Sequence, residues 1–574
     1  MLLESATLHD VIPRPSTETR PWWAGGTLRS GPDGLEIAGF SVSAFAEEHG
    51  TPVYLYDGAR ITDRLAQLRS VLGQFERHQI LYAMKANRFR PVLEVLRADG
   101  QVGIDACSPR EVTAAFESGF SASEVSVTAS SLSVADLEFL SRSGVHVNFD
   151  QVNALTRYAE RARPGARVGL RLDPGVSAGY GVNPLTNYGG GKLGLAPEDL
   201  PAALDAARAS GLVVDTLHLH LGWGLRESDE PAFRHALEVL RAAAGQIETL
   251  DAVNVGGGLG GSLREGDRPL SPERWAAAIR DVFGSSGPRI VCEPGTFLTA
   301  SAGILVSRIA AAWTKRGQRW LGLDCGQATN VYAAHYGLEL EIVPVHGPAT
   351  PPTQRYDVAG NVNESGDVFA RDRALPDLGE GDLVALLPAG AYGSSMASDH
   401  CLRGAFAEEL VWSIGAGAPA PIDRRAPRKS LAPWPSRVQL LADQSRGVFS
   451  SADLAVGTLV GRFEGPVVPW REVPEREVRY VIQVKDDGWL IPMSSARFIN
   501  HSCAPKCAVD AAFNLITVSS VSAGEQLTFS YDALAQAEWQ RAPELYFWDE
   551  RWSFDCGCGA TECVGRVDRY RIRP

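Results

Sequence analysis

Between residues 78 and 292 short apolar runs alternate with amphipathic segments, and this rhythm limits the fold more than any other feature of the chain. Runs at 78–84, 102–106, 125–129, 145–149, 167–172, 214–221, 252–255 and 289–292 have the length and aliphatic content of strands. Segments at 109–118, 133–142, 151–162, 198–209, 230–247 and 272–283 read as helices. Ile61, Leu65, Leu68, Val71, Leu72 and Phe75 carry the same helical spacing ahead of the first strand. Eight strands alternating with helices is the count of a (β/α)8 barrel, an α/β fold; an open doubly wound sheet is the competing topology.

A chain of 574 residues exceeds what one core organises. Residues 1–50 are expected to form a lead-in to a β domain, with the barrel over 51–295. The rhythm then breaks, and the short runs Gly303–Ile309, Trp320–Leu323, Leu338–Val345 and Asp382–Leu387 predict a β-barrel or sandwich over 296–413. A Gly/Ala/Pro-rich, then basic, linker spans 414–436, and a last domain runs from 437 to 574. The excess of 68 acidic over 55 basic residues, a net charge of −13, argues against nucleic acid as the main partner. No apolar run is long enough to span a membrane, and the N-terminus lacks the pattern of a signal peptide, so the cytoplasm is the expected compartment.

In a barrel, chemistry gathers where the strands end. Lys85 follows the first strand, Asp105 ends the second, and His220 closes Thr216-Leu217-His218-Leu219-His220-Leu221, where alternation sets the histidines on the face opposite the leucines. Gly256-Gly257-Gly258 follows the seventh strand and Glu293-Pro294-Gly295 the eighth. A lysine emerging from apolar surroundings has its charged form disfavoured, which makes its amine a better nucleophile towards an aldehyde. A glycine turn lets backbone amides approach a phosphate. With a carboxylate for a pyridine nitrogen, this set suits pyridoxal phosphate. No Gly-x4-Gly-Lys-Ser/Thr loop is present, which disfavours a nucleotide triphosphatase.

Tyr82-Ala83-Met84-Lys85-Ala86-Asn87, His220-Leu221-Gly222, Gly256-Gly257-Gly258, Glu293-Pro294-Gly295 and Gly390-Ala391-Tyr392-Gly393 occur in the order seen in the fold-type III pyridoxal-phosphate decarboxylases. The chain resembles this diaminopimelate/ornithine/arginine decarboxylase family over roughly residues 40–415. The resemblance implies that Lys85 is the Schiff-base lysine, that His220 stacks on the cofactor ring, that Glu293 meets the pyridine nitrogen and that Tyr392 reaches the phosphate. It also implies a homodimer whose active sites are completed by a loop of the partner. Three positions depart from the pattern. Trp223 replaces a phosphate-binding serine, Thr296 replaces an arginine, and Asn363 stands where the family's cysteine donates a proton to Cα, in the loop Asn363-Glu364-Ser365-Gly366-Asp367. An amide cannot titrate into that role, and Lys85 becomes a candidate donor. Gly360-Asn361-Val362-Asn363-Glu364 and Ser398-Asp399-His400-Cys401 resemble the branch acting on D-configured diamino acids such as D-lysine or D-ornithine, with Glu364 and Asp367 as candidates for grasping a distal ammonium. Glu293 favours decarboxylation over racemisation, for which such barrels use arginine; an epimerase and a catalytically silent cofactor scaffold are the alternatives.

Five of nine cysteines crowd the last seventy-two residues. Cys556-x-Cys558-x4-Cys563 on a glycine-rich loop, with Cys503 upstream, has the spacing of a zinc site. Arg446-Gly447-Val448-Phe449, Arg497-Phe498-Ile499-Asn500-His501-Ser502-Cys503 and the segment from Ala523 to Tyr531 resemble the SET protein-lysine methyltransferases with a post-SET zinc segment. That resemblance implies S-adenosylmethionine near Gly447, Asn500 and His501, zinc on Cys503, Cys556, Cys558 and Cys563, and Tyr531 orienting the target amine of a protein substrate. The alternative is a SET domain kept as a zinc-held binding module.

Overall fold

The computed structural model describes residues 21–26, 28–180 and 188–412, and, further on, 436–440, 446–463, 467–473, 480–485, 488–492, 495–510, 513–531, 546–548, 553–561, 563–567 and 570–572. Residues 1–20 of the expected lead-in and nearly all of the expected 414–436 linker lie outside these residues.

Eight parallel strands close a barrel in chain order. They are β1 (His78–Ala83), β2 (Val102–Ala106), β3 (Val125–Thr128), β4 (His146–Phe149), β5 (Arg167–Leu172), β6 (Val213–Leu219), β7 (Ala252–Asn254) and β8 (Arg289–Cys292). Ile80 of β1 pairs with Cys292 of β8, which rules out the open sheet. The helices between them start on local signals. Ser108 accepts from the Glu111 amide, Ser133 and Asp136 form a capping box, and Ser271 precedes a proline in the first helical turn. Leu217 and Leu219 are fully buried in the main core, which Phe233 and Leu237 of the following helix also join. Leu81, Ala252 and Val291 form a separate small cluster. Asn254 shares its strand face with Ala252, while Lys85 and Glu293 stand just past the ends of β1 and β8, so all three reach the rim above this apolar layer.

The 303–412 region supplies the expected β domain, with one correction to the boundary. The strand Val53–Asp57, expected to begin the barrel domain, instead pairs with Gly303–Lys315 and Ala407–Val411 in the β sheet. Its residues are buried on both faces, Tyr54 and Tyr56 in the main core and Val53 and Leu55 in a second one, and both cores require a sheet position. The lead-in hairpin Arg29–Gly31 and Gly34–Ile37 docks there through the Leu35 amide and the Val345 carbonyl at 2.7 Å. The expected run Leu338–Val345 narrows to a strand over Glu341–Pro344.

In the C-terminal region, Ser436–Leu440, Arg446–Ser450, Leu459–Arg462, Asn500–His501, Cys507–Val509, Asn514–Thr517 and Gln526–Phe529 form one seven-stranded sheet. Val448, Val460, Leu515 and Leu527 build its core.

Candidate functional site

Strand register brings the first group of residues together. Ala83 of β1 lies opposite Asp105 of β2, and the 3-10 turn Met84–Ala86 then carries Lys85 over the rim. Lys85 Nζ donates to Asp105 Oδ2 at 2.8 Å and lies 3.4 Å from Cys107 Sγ. The β domain clamps the turn: the Tyr392 amide donates to the Ala86 carbonyl at 2.6 Å, Ser395 Oγ to the Lys85 carbonyl at 2.8 Å, and Asn87 Nδ2 to the Gly390 carbonyl at 3.0 Å. A lysine of depressed pKa is expected from the apolar strand, and here the structure corrects the sequence. Burial, the largest single influence, pulls the amine down, but Asp105, Cys107, Tyr392 and Glu293 together outweigh it and hold the ammonium well above its ordinary value. Asp105, fully buried, is itself pushed up to about 7 by burial and by the charge of Glu293, against the pull of Lys85. Its Oδ1 has no hydrogen-bond partner among the described residues.

The second group arises the same way on the neighbouring strands, β8 pairing directly with β1. His218 of β6 lies opposite Asn254 of β7, Asn254 lies opposite Val291 of β8, and Glu293 stands two residues beyond. Glu293 faces His218 Nε2 across 3.1 Å through one oxygen and accepts from Asn254 Nδ2 at 2.7 Å through the other. Burial works against the carboxylate, yet His218, Lys85 and His220 together prevail and Glu293 is lowered to about 2. Each carboxylate oxygen keeps a lone pair for a further donor. His220 is lowered well below its ordinary value by burial, then by Arg171 and Lys85, and so is neutral. Its Nδ1 accepts from the Gly257 amide at 3.2 Å, and its ring meets Tyr188 edge-on at 4.9 Å.

The glycines act here mainly by being small. A Cβ on Gly256 would lie 2.4 Å from the Leu219 carbonyl oxygen, and one on Gly257 would lie 2.6 Å from that of Glu293. The Gly256 amide is used on Asn254 Oδ1 at 2.9 Å, so two of the three expected phosphate amides already build the rim. Gly258 completes the turn at φ +98°. The Pro294 carbonyl accepts from Ala83 at 3.1 Å, and a Cβ on Gly295 would sit 2.9 Å from that of Ala86 and 3.4 Å from the Tyr392 hydroxyl. Thr296 is buried just behind. Tyr392 adopts φ 61°, costly for a bulky residue, and stacks on Tyr332 at 5.3 Å. Trp223 is buried among Tyr180, Tyr332 and Tyr336. A carboxylate ready for a ring nitrogen, an unsatisfied Asp105 oxygen beside the lysine and a small-residue cradle together fit pyridoxal phosphate.

The loop residues stand apart from this rim group. Asn363 is exposed. Glu364 pairs with His400 at 3.1 Å, both half exposed. Asp367 does not stand free for an ammonium: it is buried, and its two oxygens accept from the Gln327 and Val362 amides, each at 2.7 Å. It closes the loop on itself. Cys107, His218 and Asn254 were missed as site residues. His218 shares the strand phase of His220, whereas Cys107 and Asn254 gain meaning only once neighbouring strands are in register.

In the C-terminal region the sulfur atoms of Cys503, Cys556, Cys558 and Cys563 all lie within 4.8 Å of one another, with Cys503 and Cys556 3.9 Å apart. Four sulfurs at about 2.3 Å from a tetrahedral zinc stand about 3.8 Å apart, so the cluster fits that ion. The Cys503 and Ala560 amides lower Cys558 to about 6. Tyr531 lies against the same corner, its amide donating to His501 Nδ1 at 3.2 Å and its hydroxyl to the Ile499 carbonyl at 2.7 Å. A Cβ on Gly447 would sit 2.7 Å from Gln526 Nε2 and 3.3 Å from Asn500 Nδ2, so both amides crowd the bare glycine.

Comparison with known proteins agrees with both halves. Residues 59–300 match the family described as pyridoxal-dependent decarboxylase, pyridoxal binding domain, and residues 445–532 match the SET domain. A diaminopimelate decarboxylase of Methanothermobacter thermautotrophicus is 34% identical over 390 residues, 66% of this chain and 90% of that protein. One from Deinococcus radiodurans is 33% identical over 384 residues, covering 66% of this chain and 94% of its own. Among solved structures, diaminopimelate decarboxylase from Helicobacter pylori complexed with L-lysine covers 64% of this chain and 93% of its own, with a TM-score of 0.59 at 26% identity.

Proposed function

The chain belongs to the pyridoxal-dependent decarboxylases of the diaminopimelate type and carries a SET domain behind that half, and from this premise we propose that the barrel removes a carboxyl group from a diamino acid of the diaminopimelate, ornithine or lysine class, D-configured at the reacting carbon. The observation that carries this reading is the pair of neighbouring clusters on one rim, Lys85 with Asp105 and Glu293 with His218 and Asn254. Lys85 and Glu293 would hold pyridoxal phosphate, which would supply an electron sink for the pair left when the carboxyl carbon departs. Glu293, ionised and anchored through both oxygens, is the partner for a protonated ring nitrogen. His220, neutral and turned by the Gly257 amide, offers a flat uncharged face for stacking. Tyr392 and the small residues Gly256, Gly257, Gly258, Gly295 and Thr296 line the phosphate side.

The D configuration is supported by the likeness of the 360–364 and 398–401 loops to the branch acting on D-configured diamino acids, and Asn363 replaces the family's thiol there, so the proton comes from another quarter. The exposed loop bearing Asn363 and Glu364 is read as the segment a protomer lends to its partner in a homodimer, where Glu364 meets the substrate's distal ammonium. The SET half is read as an S-adenosylmethionine-dependent methyltransferase for a lysine amine on a protein. Gly447, Asn500 and His501 lie on the donor side, Tyr531 beside the target amine, and zinc is held by Cys503, Cys556, Cys558 and Cys563.

Carbon dioxide release from a panel of D- and L-diamino acids tests the first half. Faster release from D-lysine, D-ornithine or the D centre of meso-diaminopimelate than from the L forms is expected; an L preference would remove the stereochemical part. Transfer of label from S-adenosylmethionine to protein, lost in Tyr531→Phe, is expected of the second half. No transfer to any protein or amine would leave it a binding module.

A further inference from the structure

Apart from Lys85 itself, the site described so far has no group to put a proton on Cα. Asn363 has none to give, and it lies on an exposed loop. The other thiols of this half are badly placed. Cys292 and Cys325 are buried, Cys292 with its sulfur turned towards the Gln79 carbonyl at 3.8 Å, and Cys401 is exposed on the 398–402 loop. Cys107 is different. It follows β2 two residues after Asp105, and its sulfur lies 3.4 Å from Lys85 Nζ, the atom around which the reaction turns. Its amide donates to Glu111 Oε2 at 2.7 Å, which fixes the backbone at the top of the strand. It is only half buried, and the Lys85 side chain beside it keeps 40% of its exposure, so both face open space at the rim.

We propose that Cys107 is the proton donor to Cα, taking within its own protomer the part that relatives assign to a thiol at the position of Asn363. This rests on the decarboxylase reading above. The bond from Cα to the carboxyl carbon breaks, carbon dioxide leaves, and the electron pair stays behind. The S–H bond of Cys107 then breaks as the Cα–H bond forms, leaving a thiolate. A Lys85 ammonium proton, 3.4 Å away, restores the thiol, and one proton per turnover enters from solvent. No oxidant or reductant is needed. A donor must hold its proton at working pH, and burial pushes the Cys107 thiol up to about 12 although Lys85 and its charge pull the other way. Because the sulfur sits beside Lys85, the proton arrives on the lysine side of the substrate.

The test uses the full-length holoenzyme and its Cys107→Ala and Cys107→Ser variants, turned over in D2O with the best substrate of the panel. For the wild type, amine and carbon dioxide in a ratio of one and a single deuterated Cα epimer are expected. In both variants turnover should fall by about 10²–10⁴-fold, the amine should drop below the carbon dioxide with a carbonyl product making up the difference, and the two Cα epimers should mix. Variants with the wild-type ratio and a single epimer would overturn the proposal while leaving the decarboxylase reading intact. A wild type that releases no carbon dioxide overturns the reading itself and the proposal with it. Independently of turnover, thiolate absorbance of the cofactor-free protein, wild type minus Cys107→Ala, should show a midpoint well above neutrality; a midpoint below about 7 would leave no proton to give and would also overturn it.

Discussion

The rim of the barrel and the cysteine corner of the C-terminal region are both built from polar groups far apart in sequence, yet they are held in opposite ways. At the rim nearly every charge has a protein partner: Lys85 has Asp105, and Glu293 has His218 and Asn254. Strand register sets these pairs, and a continuous apolar core beneath them maintains the register. At the cysteine corner the four sulfurs face one another, and each of the residues is only half buried. Thiolates so close repel, and only a cation resolves that. The first site is organised by the fold; on the zinc reading proposed above, the second would organise the fold around an ion.

The largest expected effect follows from that difference. Chelating the metal, or Cys558→Ser, should remove on the order of 10 kcal/mol of binding energy from the C-terminal segment and unfold it, while the barrel's circular dichroism and melting stay unchanged. A barrel that melts with it would break the contrast. Next, Glu293→Gln should lower carbon dioxide release by about 10²–10³-fold with the fold retained, because the amide keeps the shape but not the charge. This variant also carries the pH dependence. The Glu293 carboxylate is lowered from 4.5 to about 2, so the stability it contributes is fully present above pH 4.5 and lost as pH falls towards 2. Acid melting of the glutamine variant should therefore be flatter across that window. Stripping the cofactor should cost the barrel only the linkage term, about 3 kcal/mol at a hundredfold excess over Kd, seen as a few degrees in its melting temperature. The smallest effect is Glu364→Ala, which should raise KM by about tenfold or less and leave kcat within a few-fold, since its partner His400 is equally exposed.

Much of this was legible from residue order, for reasons the two regions make plain. All eight strands and the rim positions of Lys85, His220 and Glu293 follow from apolar period and strand ends, both local properties. The cysteine cluster was legible because three of its members sit within eight residues. Whatever depends on lateral pairing was not. The place of Val53–Asp57 in the β sheet is set by two cores brought together from distant segments. The charge state of Lys85 depends on acids brought in from other strands, Asp105 first among them, whose nearness comes from the match of Ala83 to Asp105 between β1 and β2. The loop role of Asp367 could not be foreseen either, because a conspicuous acid after a glycine looks the same whether it meets a substrate or two backbone amides.

The central claim is that Lys85, on this rim, works on a diamino acid, and the rate of carbon dioxide release by the cofactor-loaded chain against its Lys85→Ala variant tests it most directly. Release from at least one D-diamino acid, reduced by about 10⁴-fold or more in the variant, is the predicted result. Bound cofactor with no release from any diamino acid of either configuration, or release that survives the loss of Lys85, would contradict it.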